Sequence, residues 1–247
     1  MSVALKQQTQ SHFSKAACRY QHHARVQASA SEVLLAHLAL RPLGLCLDLG
    51  AGPGVNSAAL AAQSDTLLAL DLSPSMLAQI HTPSVKLCAD MDALPLHGNS
   101  LDTVFSNFAM QWSSDLNIAL GELYRVLKPK GRAYLAIVAA GSLGEVKTAF
   151  ASIGRAAINH FASFEDILGS AHNAGFQVNW QQELSLFDTY ASAKEALKSL
   201  SAIGANSAEQ GHRALSKGEY AQILQCLGGD NSEVALSYNV VFLELIK

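Results

Sequence analysis

The run Leu45-Cys46-Leu47-Asp48-Leu49-Gly50-Ala51-Gly52-Pro53-Gly54 changes character halfway along. Its first half is apolar apart from Asp48 and reads as a buried strand. The glycine-rich second half predicts a tight turn opening into a helix over residues 55 to 63. Glycine at 50 and 52 lets the backbone bend sharply and approach a ligand with no Cβ in the way. The turn is not a Walker phosphate cradle, because no Gly-Lys-Ser/Thr follows it. It is also one residue shorter than the GxGxxG loop of dinucleotide binders.

Downstream, short apolar runs alternate with helical stretches. Strands are predicted over residues 66 to 71, 85 to 88, 103 to 106 and 132 to 138. Ser73 can cap a helix with Pro74 at its first position, and a helix over residues 116 to 127 stops at Lys128-Pro129-Lys130-Gly131. This alternation predicts an α/β fold, a parallel sheet with helices on both faces whose ligands bind beyond the carboxyl ends of the strands. Upstream, apolar spacing through Phe13, Ala17, Tyr20, Ala24, Val33, Leu34 and Leu38 predicts one or two amphipathic helices. After Gly141 the rhythm changes to helices over 143 to 153 and 164 to 173, a strand over 176 to 187, helices over 193 to 203 and 216 to 227, and a closing strand over 235 to 246. Loops are expected over 159 to 166 and 204 to 218.

A chain of 247 residues, 49% hydrophobic and with net charge −3, fits one domain with a core large enough to need no metal or disulfide. The absence of basic blocks argues against a nucleic acid partner. Cys18, Cys46, Cys88 and Cys226 are scattered singly, without CxxC spacing, and are expected to be reduced and mostly buried. The polar N-terminus does not read as a signal peptide and no apolar run is membrane-length, so a cytoplasmic protein without membrane partners is expected.

Acidic and polar residues recur at successive strand ends. Asp71 lies 23 residues beyond Asp48, where a carboxylate can accept from both hydroxyls of a ribose. Asp90-Met91 follows the third strand and offers a carboxylate and a thioether to an adenine ring; Asn107 follows the fourth and can meet an amino-acid end. Singly, each of these also reads as a helix cap or a loop residue, and the glycine loop as a bare strand-to-helix turn. No GxSxG elbow, HExxH or His/Cys cluster is present, so neither a covalent nucleophile nor a metal is expected.

Through LDLGAGPG, ALDLSPSML, ADMDALPL, DTVFSNFAMQW and ELYRVLKPKGRAYLA, residues 13 to 140 resemble the class I S-adenosylmethionine-dependent methyltransferases. The resemblance implies a Rossmann-like, seven-stranded sheet whose last strand is antiparallel, with an N-terminal helical lid over residues 1 to 42, a cofactor-binding core over 43 to 140, and a helical insertion and sheet completion on the acceptor side over 141 to 247. It implies S-adenosylmethionine as cofactor, with Asp48, Gly50, Ala51 and Gly52 near the methionine moiety. Asp71 then serves the ribose, Leu72, Met76, Asp90 and Met91 the adenine, and Asn107 the start of the transfer face.

A narrower resemblance spans nearly the whole chain. FSKAACRYQHHARVQ, SNFAMQW, GSLGEV, the FxxFEDI segment and SLSAIGA are similar to the malonyl-acyl-carrier-protein O-methyltransferases of biotin synthesis. It implies methyl transfer to the free carboxylate of a malonyl thioester on acyl-carrier protein or coenzyme A. Tyr20 is the candidate catalytic residue, able to donate to the acceptor carboxylate, and His23, Arg25, Gln111 and Trp112 are candidate acceptor-site residues. Lys147, Arg155, Lys194, Lys198 and Arg213 are candidates to meet an acidic carrier. The alternatives are another small-molecule methyltransferase, acting on a quinone precursor or an unsaturated dicarboxylic acid, and a methyltransferase-like binding subunit without turnover.

Overall fold

The computed structural model describes residues 10, 14, 24–38, 41–156, 160–202, 215–229 and 232–247. Seven strands form one sheet: β1 (Gly44–Leu49), β2 (Ser64–Asp71), β3 (Val85–Cys88), β4 (Leu101–Asn107), β5 (Leu127–Val138), β6 (Gln177–Tyr190) and β7 (Val234–Ile246). Their order is β3-β2-β1-β4-β5-β7-β6. The β1–β2, β2–β3, β1–β4 and β4–β5 pairs are parallel, whereas β7 runs antiparallel to both β5 and β6. The order reverses between β1 and β4. A crevice opens at such a switch point, outside the carboxyl ends of the strands.

Eight α-helices are described: α1 (Arg25–Leu38), α2 (Ser57–Ala61), α3 (Pro74–Leu77), α4 (Leu116–Val126), α5 (Gly144–Ala151), α6 (Phe164–Asn173), α7 (Ala193–Ala202) and α8 (Lys217–Cys226). One face of the sheet packs on α1, α5, α7 and α8, through residues such as Leu34, Leu38, Val146, Leu200 and Ile223. The other packs on α4 and α6, through Leu120, Leu123, Ile167 and Ala171. Both faces being covered, β1 has to be apolar on both sides, which is why alternation is absent from its sequence. Cys46 joins the first core and Leu47 and Leu49 the second.

Local chemistry sets the helix starts. Asp115 accepts from the Asn117 N–H to begin α4, and Ser73 accepts from the Met76 N–H to begin α3 with Pro74 as its first residue. Reciprocal capping boxes, Ser163 with Asp166 and Ser216 with Glu219, begin α6 and α8. Both helices start within a residue of where they were expected, at the ends of the two expected loops. The first loop ends where Ser163 caps α6, and of the second the described part begins helix at Lys217, residues 203–214 lying outside the description.

Three other readings are corrected. β5 begins at Leu127, which pairs with Leu101 before the register jumps to Thr103 and Arg132. The Lys128-Pro129-Lys130-Gly131 stretch is therefore an excursion within the strand, with Lys130 at φ 67° and its N–H donated to the Lys247 carbonyl. β6 runs on to Tyr190, because β7 continues to pair with it as far as Val234. Only Cys46 of the described cysteines is buried: Cys88 and Cys226 are exposed.

Helix α1 is held at both ends. His37, near its C-terminus, hydrogen-bonds the carboxylate of buried Glu244 on β7 at 3.0 Å and stacks on Trp180 at 3.8 Å between ring centroids. Arg41 (2.9 Å), Asn179 (2.7 Å), Tyr134 (3.2 Å) and Arg132 complete the donors around Glu244. At the other end, Arg25 pairs with buried Asp188 on β6 at 2.7 Å, lies over the Tyr190 ring at 4.9 Å and donates to the Thr189 carbonyl.

Candidate functional site

The glycine turn is stitched to the neighbouring strand by its own backbone. The N–H groups of Gly50 and Ala51 both donate to the Leu70 carbonyl, at 2.8 and 2.9 Å, and Gly52 N–H donates to Asp71 Oδ2 at 2.9 Å. Asp71 Oδ1 accepts from Ser73 N–H at 2.8 Å, so one carboxylate ties the glycine turn to the start of α3. The turn's glycines differ in what fixes them. A Cβ at Gly50 lies 2.3 Å from the Ala109 Cβ, whereas one at Gly52, with φ +54°, meets nothing within 4 Å. Gly50 is required by packing, and Gly52 faces open space.

That space is a cleft of about 320 Å³ lined by residues 50–56, Asn107, and Ala24, Gln27 and Ala28 of the α1 side. Asn107, at the end of β4, donates its Nδ2 to the Gln27 carbonyl at 2.8 Å. Its Oδ1 is buried and has no hydrogen-bond partner among the described residues, an acceptor that a ligand's donor would satisfy. Asp48 is 2% exposed and outside the lining; Ser57 Oγ approaches it at 3.5 Å. Burial, and then the charge of Asp71, push its carboxyl up to about 7. Burial also raises Asp71, against the pull of the Ser73 and Gly52 N–H groups.

The remaining expected residues occupy adjacent strand ends. Leu72 follows Asp71 directly, and Met76, on α3, is buried. Two described residues of the N-terminal segment reach this corner: Gln10 Nε2 donates to the Leu72 carbonyl at 2.7 Å, and Ser14 Oγ meets Ser73 Oγ at 2.9 Å. Asp90 lies two residues past Cys88, the β3 partner of Asp71, and accepts from Asp92 N–H at 3.0 Å; Met91 is half-buried beside it. Asp92 in turn binds Ser113 Oγ and Ser114 N–H, joining this segment to the 3-10 turn Met110–Trp112 that carries Gln111 and Trp112. Gln111 Nε2 donates to the Phe108 carbonyl at 2.8 Å, and its Oε1 is buried without a partner among the described residues.

Arg25, expected to offer charge to the acceptor, gives that charge to Asp188. Tyr20 and His23 lie outside the described residues. Sequence reasoning missed Gln27, which acts through its backbone carbonyl, and Asp188 and Tyr190, whose strand ends only the β6–β7 pairing brings to this side.

A methyltransferase-domain family model matches residues 47–135, from β1 through most of β5. The malonyl-acyl-carrier-protein O-methyltransferase of Erwinia billingiae is 34% identical over 98% of both chains, and that of Salmonella typhimurium is 31% identical over 97% of both. The chain belongs to the malonyl-acyl-carrier-protein O-methyltransferase family. The fold agrees with an S-adenosylmethionine-dependent methyltransferase from Mesorhizobium loti, with a TM-score of 0.55, 18% identity, and coverage of 90% of this chain and 100% of that one. The protein is therefore an S-adenosylmethionine-dependent methyltransferase. Its residues suit that cofactor: an open cradle at Gly52, a carboxylate at Asp71 and an unpaired acceptor at Asn107 for an ammonium donor. Among the described residues no three or more His, Cys, Asp or Glu are grouped to hold a metal ion, and no helix is long and apolar enough to cross a membrane.

Proposed function

We propose that the protein transfers a methyl group from S-adenosylmethionine to the free carboxylate of malonyl-acyl-carrier protein or malonyl-CoA, giving the methyl ester that primes pimeloyl chain synthesis for biotin. The observation that carries this reading is the end-to-end similarity to the family, which includes the acceptor side after Gly141 as well as the cofactor core.

Bound S-adenosylmethionine supplies a sulfonium-activated methyl group. The protein's task is then to hold the acceptor in line with the S–CH₃ bond at about 3–3.5 Å. An ionised carboxylate needs no proton removed, so the reaction requires no general base. Asn107 Oδ1 and the glycine turn serve the methionine end. Asp71 would hold the ribose with the acceptor capacity left on its two oxygens, and Leu72, Met76, Asp90 and Met91 would form the adenine end of the site. Gln10 and Ser14 also meet this corner, at the Leu72 carbonyl and the Ser73 hydroxyl.

For the carrier, Lys194 and Lys198 stand exposed on α7, while Arg155 is engaged by Glu219 at 3.2 Å and Arg213 lies outside the described residues. Incubation with methyl-labelled cofactor and malonyl-acyl-carrier protein, malonyl-CoA or succinyl-CoA tests the reading. Label is expected on the malonyl thioesters and far less on the succinyl one. No transfer to either malonyl thioester would refute it.

A further inference from the structure

Tyr238 lies on β7 in the core face shared with α1, its ring 6.4 Å from that of Phe108, the residue directly after cleft-lining Asn107. It is 5% exposed. Its phenol is set among Tyr190, Asp188 and Glu145, yet no hydrogen bond from the described residues reaches it. The neighbouring phenol is fully engaged: Tyr190 donates to Asp188 Oδ2 at 2.5 Å, and Asp188 Oδ1 holds Arg25. Glu145 is likewise occupied, by Ser237 N–H and Oγ. A hydroxyl this buried ordinarily has a partner, and one without it signals a ligand or an unexplained cost.

We infer that Tyr238 is an acceptor-binding residue, its hydroxyl donating a hydrogen bond to the carboxylate that receives the methyl group. The inference rests on the carboxyl-methyltransferase reading above and names a group for the acceptor's reacting end. The position bears on the role, because Phe108, its ring 6.4 Å from that of Tyr238, directly follows cleft-lining Asn107, and Arg25, over the ring of neighbouring Tyr190, lies between cleft-lining Ala24 and Gln27. Its neighbours suit it too. Asp188 is paired with Arg25 and so repels an anionic acceptor less. Burial first, and then the nearby Tyr190, Asp188 and Glu145, raise the phenol's pKa, keeping it a donor throughout the neutral range. One hydrogen bond to the carboxylate leaves its other lone pairs free for in-line attack, and no proton changes hands.

The test is Tyr238→Phe in the full chain, which deletes only a hydroxyl that bonds nothing described. Its melting temperature should stay within about 2 °C of the parent. Calorimetric titrations of malonyl-CoA and of acetyl-CoA, which lacks the carboxylate, into the protein saturated with S-adenosylhomocysteine then read the contact without turnover. The parent should bind malonyl-CoA more tightly than acetyl-CoA. The variant should lose roughly ten- to a hundredfold for malonyl-CoA, the range for a hydrogen bond to a charged group, with acetyl-CoA and S-adenosylhomocysteine affinities unchanged. Equal malonyl-CoA affinity in parent and variant would overturn the inference, as would a parent that does not distinguish the two thioesters. Failure of the parent to methylate malonyl thioesters, measured separately, would count against the function and leave this binding difference to be judged on its own.

Discussion

Alanine at Asp71 removes two acceptors at once, those of the Gly52 N–H at 2.9 Å and the Ser73 N–H at 2.8 Å. Hydrogen bonds to a carboxylate contribute about 1.5–3 kcal/mol each, but the variant also escapes the cost of burying that charge, whose pKa burial already raises. The net loss of stability should be about 1–3 kcal/mol, or a melting temperature lower by roughly 2–12 °C in a domain of this size. Cofactor binding should suffer more. The ribose loses its acceptor and the glycine turn loses the bond that fixes Gly52, so affinity for S-adenosylhomocysteine should fall at least ten- to a hundredfold. Asp71→Asn separates the two effects: its single carbonyl can keep one backbone N–H, recovering part of the stability, while its amide cannot accept from both remaining donors. Thermal melts and calorimetric titration of both variants make the check. Unchanged cofactor affinity in both would refute the assignment of Asp71, and unchanged melting in Asp71→Ala would refute its role as a tie between loop and helix.

Gly50→Ala should lower the yield of folded protein, because its Cβ collides with Ala109, whereas Gly52→Val, strained at φ +54° but free of collisions, should melt somewhat lower and lose cofactor affinity, as measured by melting and titration. Asp48, pushed up to about 7 by burial and by Asp71, should ionise on binding a cationic cofactor; S-adenosylmethionine affinity should rise between about pH 6 and 8, and Asp48→Asn should flatten that rise. The same raised pKa means that the ligand-free native state holds more protons than the unfolded chain, so Asp48's contribution to stability declines as pH rises from about 4 to 7. Glu244 acts in the opposite sense: burial alone would raise it, but hydrogen bonds from His37, Asn179 and Arg132 bring it to about 2, so its contribution is present above about pH 4.5 and lost as pH falls toward 2. Glu244→Gln should cost about 2–3 kcal/mol at pH 7 by denaturant titration, less than a fully buried pair because Arg41 and Arg132 are half-exposed, and should flatten the acid limb.

The parallel half of the sheet was legible because each strand is a short apolar run ended by its own punctuation: glycines after Leu49, Ser73-Pro74 after Asp71, and an aspartate after Ala89. Helix α3 was legible from its cap at Ser73 with Pro74 as its first residue. What could not be read depended on pairing across the sheet. Nothing local in Lys128-Pro129-Lys130-Gly131 signals that a strand has already begun at Leu127, since that is decided by Leu101 on another strand. The end of β6 was hidden for the same reason: its outer positions are exposed and polar, and only its long pairing with β7 carries it to Tyr190. The site divides likewise. The glycine turn, Asp71, Asp90 and Asn107 announce themselves by falling at successive strand ends. Gln27 contributes a carbonyl, which no side-chain pattern reveals, and Arg25 looked free because Asp188 lies 163 positions further along the chain. Asp48 stands in the most conspicuous motif, yet it works from beneath the loop, outside the cleft lining.

The central claim, a methyl ester made on a malonyl carboxylate, is tested most directly by the chemistry of the product. Purified protein is incubated with methyl-labelled S-adenosylmethionine and malonyl thioester, and the thioester is then isolated and treated with mild alkali. The account predicts label bound to the malonyl thioester and released by alkali as volatile methanol. Label that is absent from the malonyl thioester, or that stays on it after alkali, as a carbon- or nitrogen-bound methyl would, contradicts it.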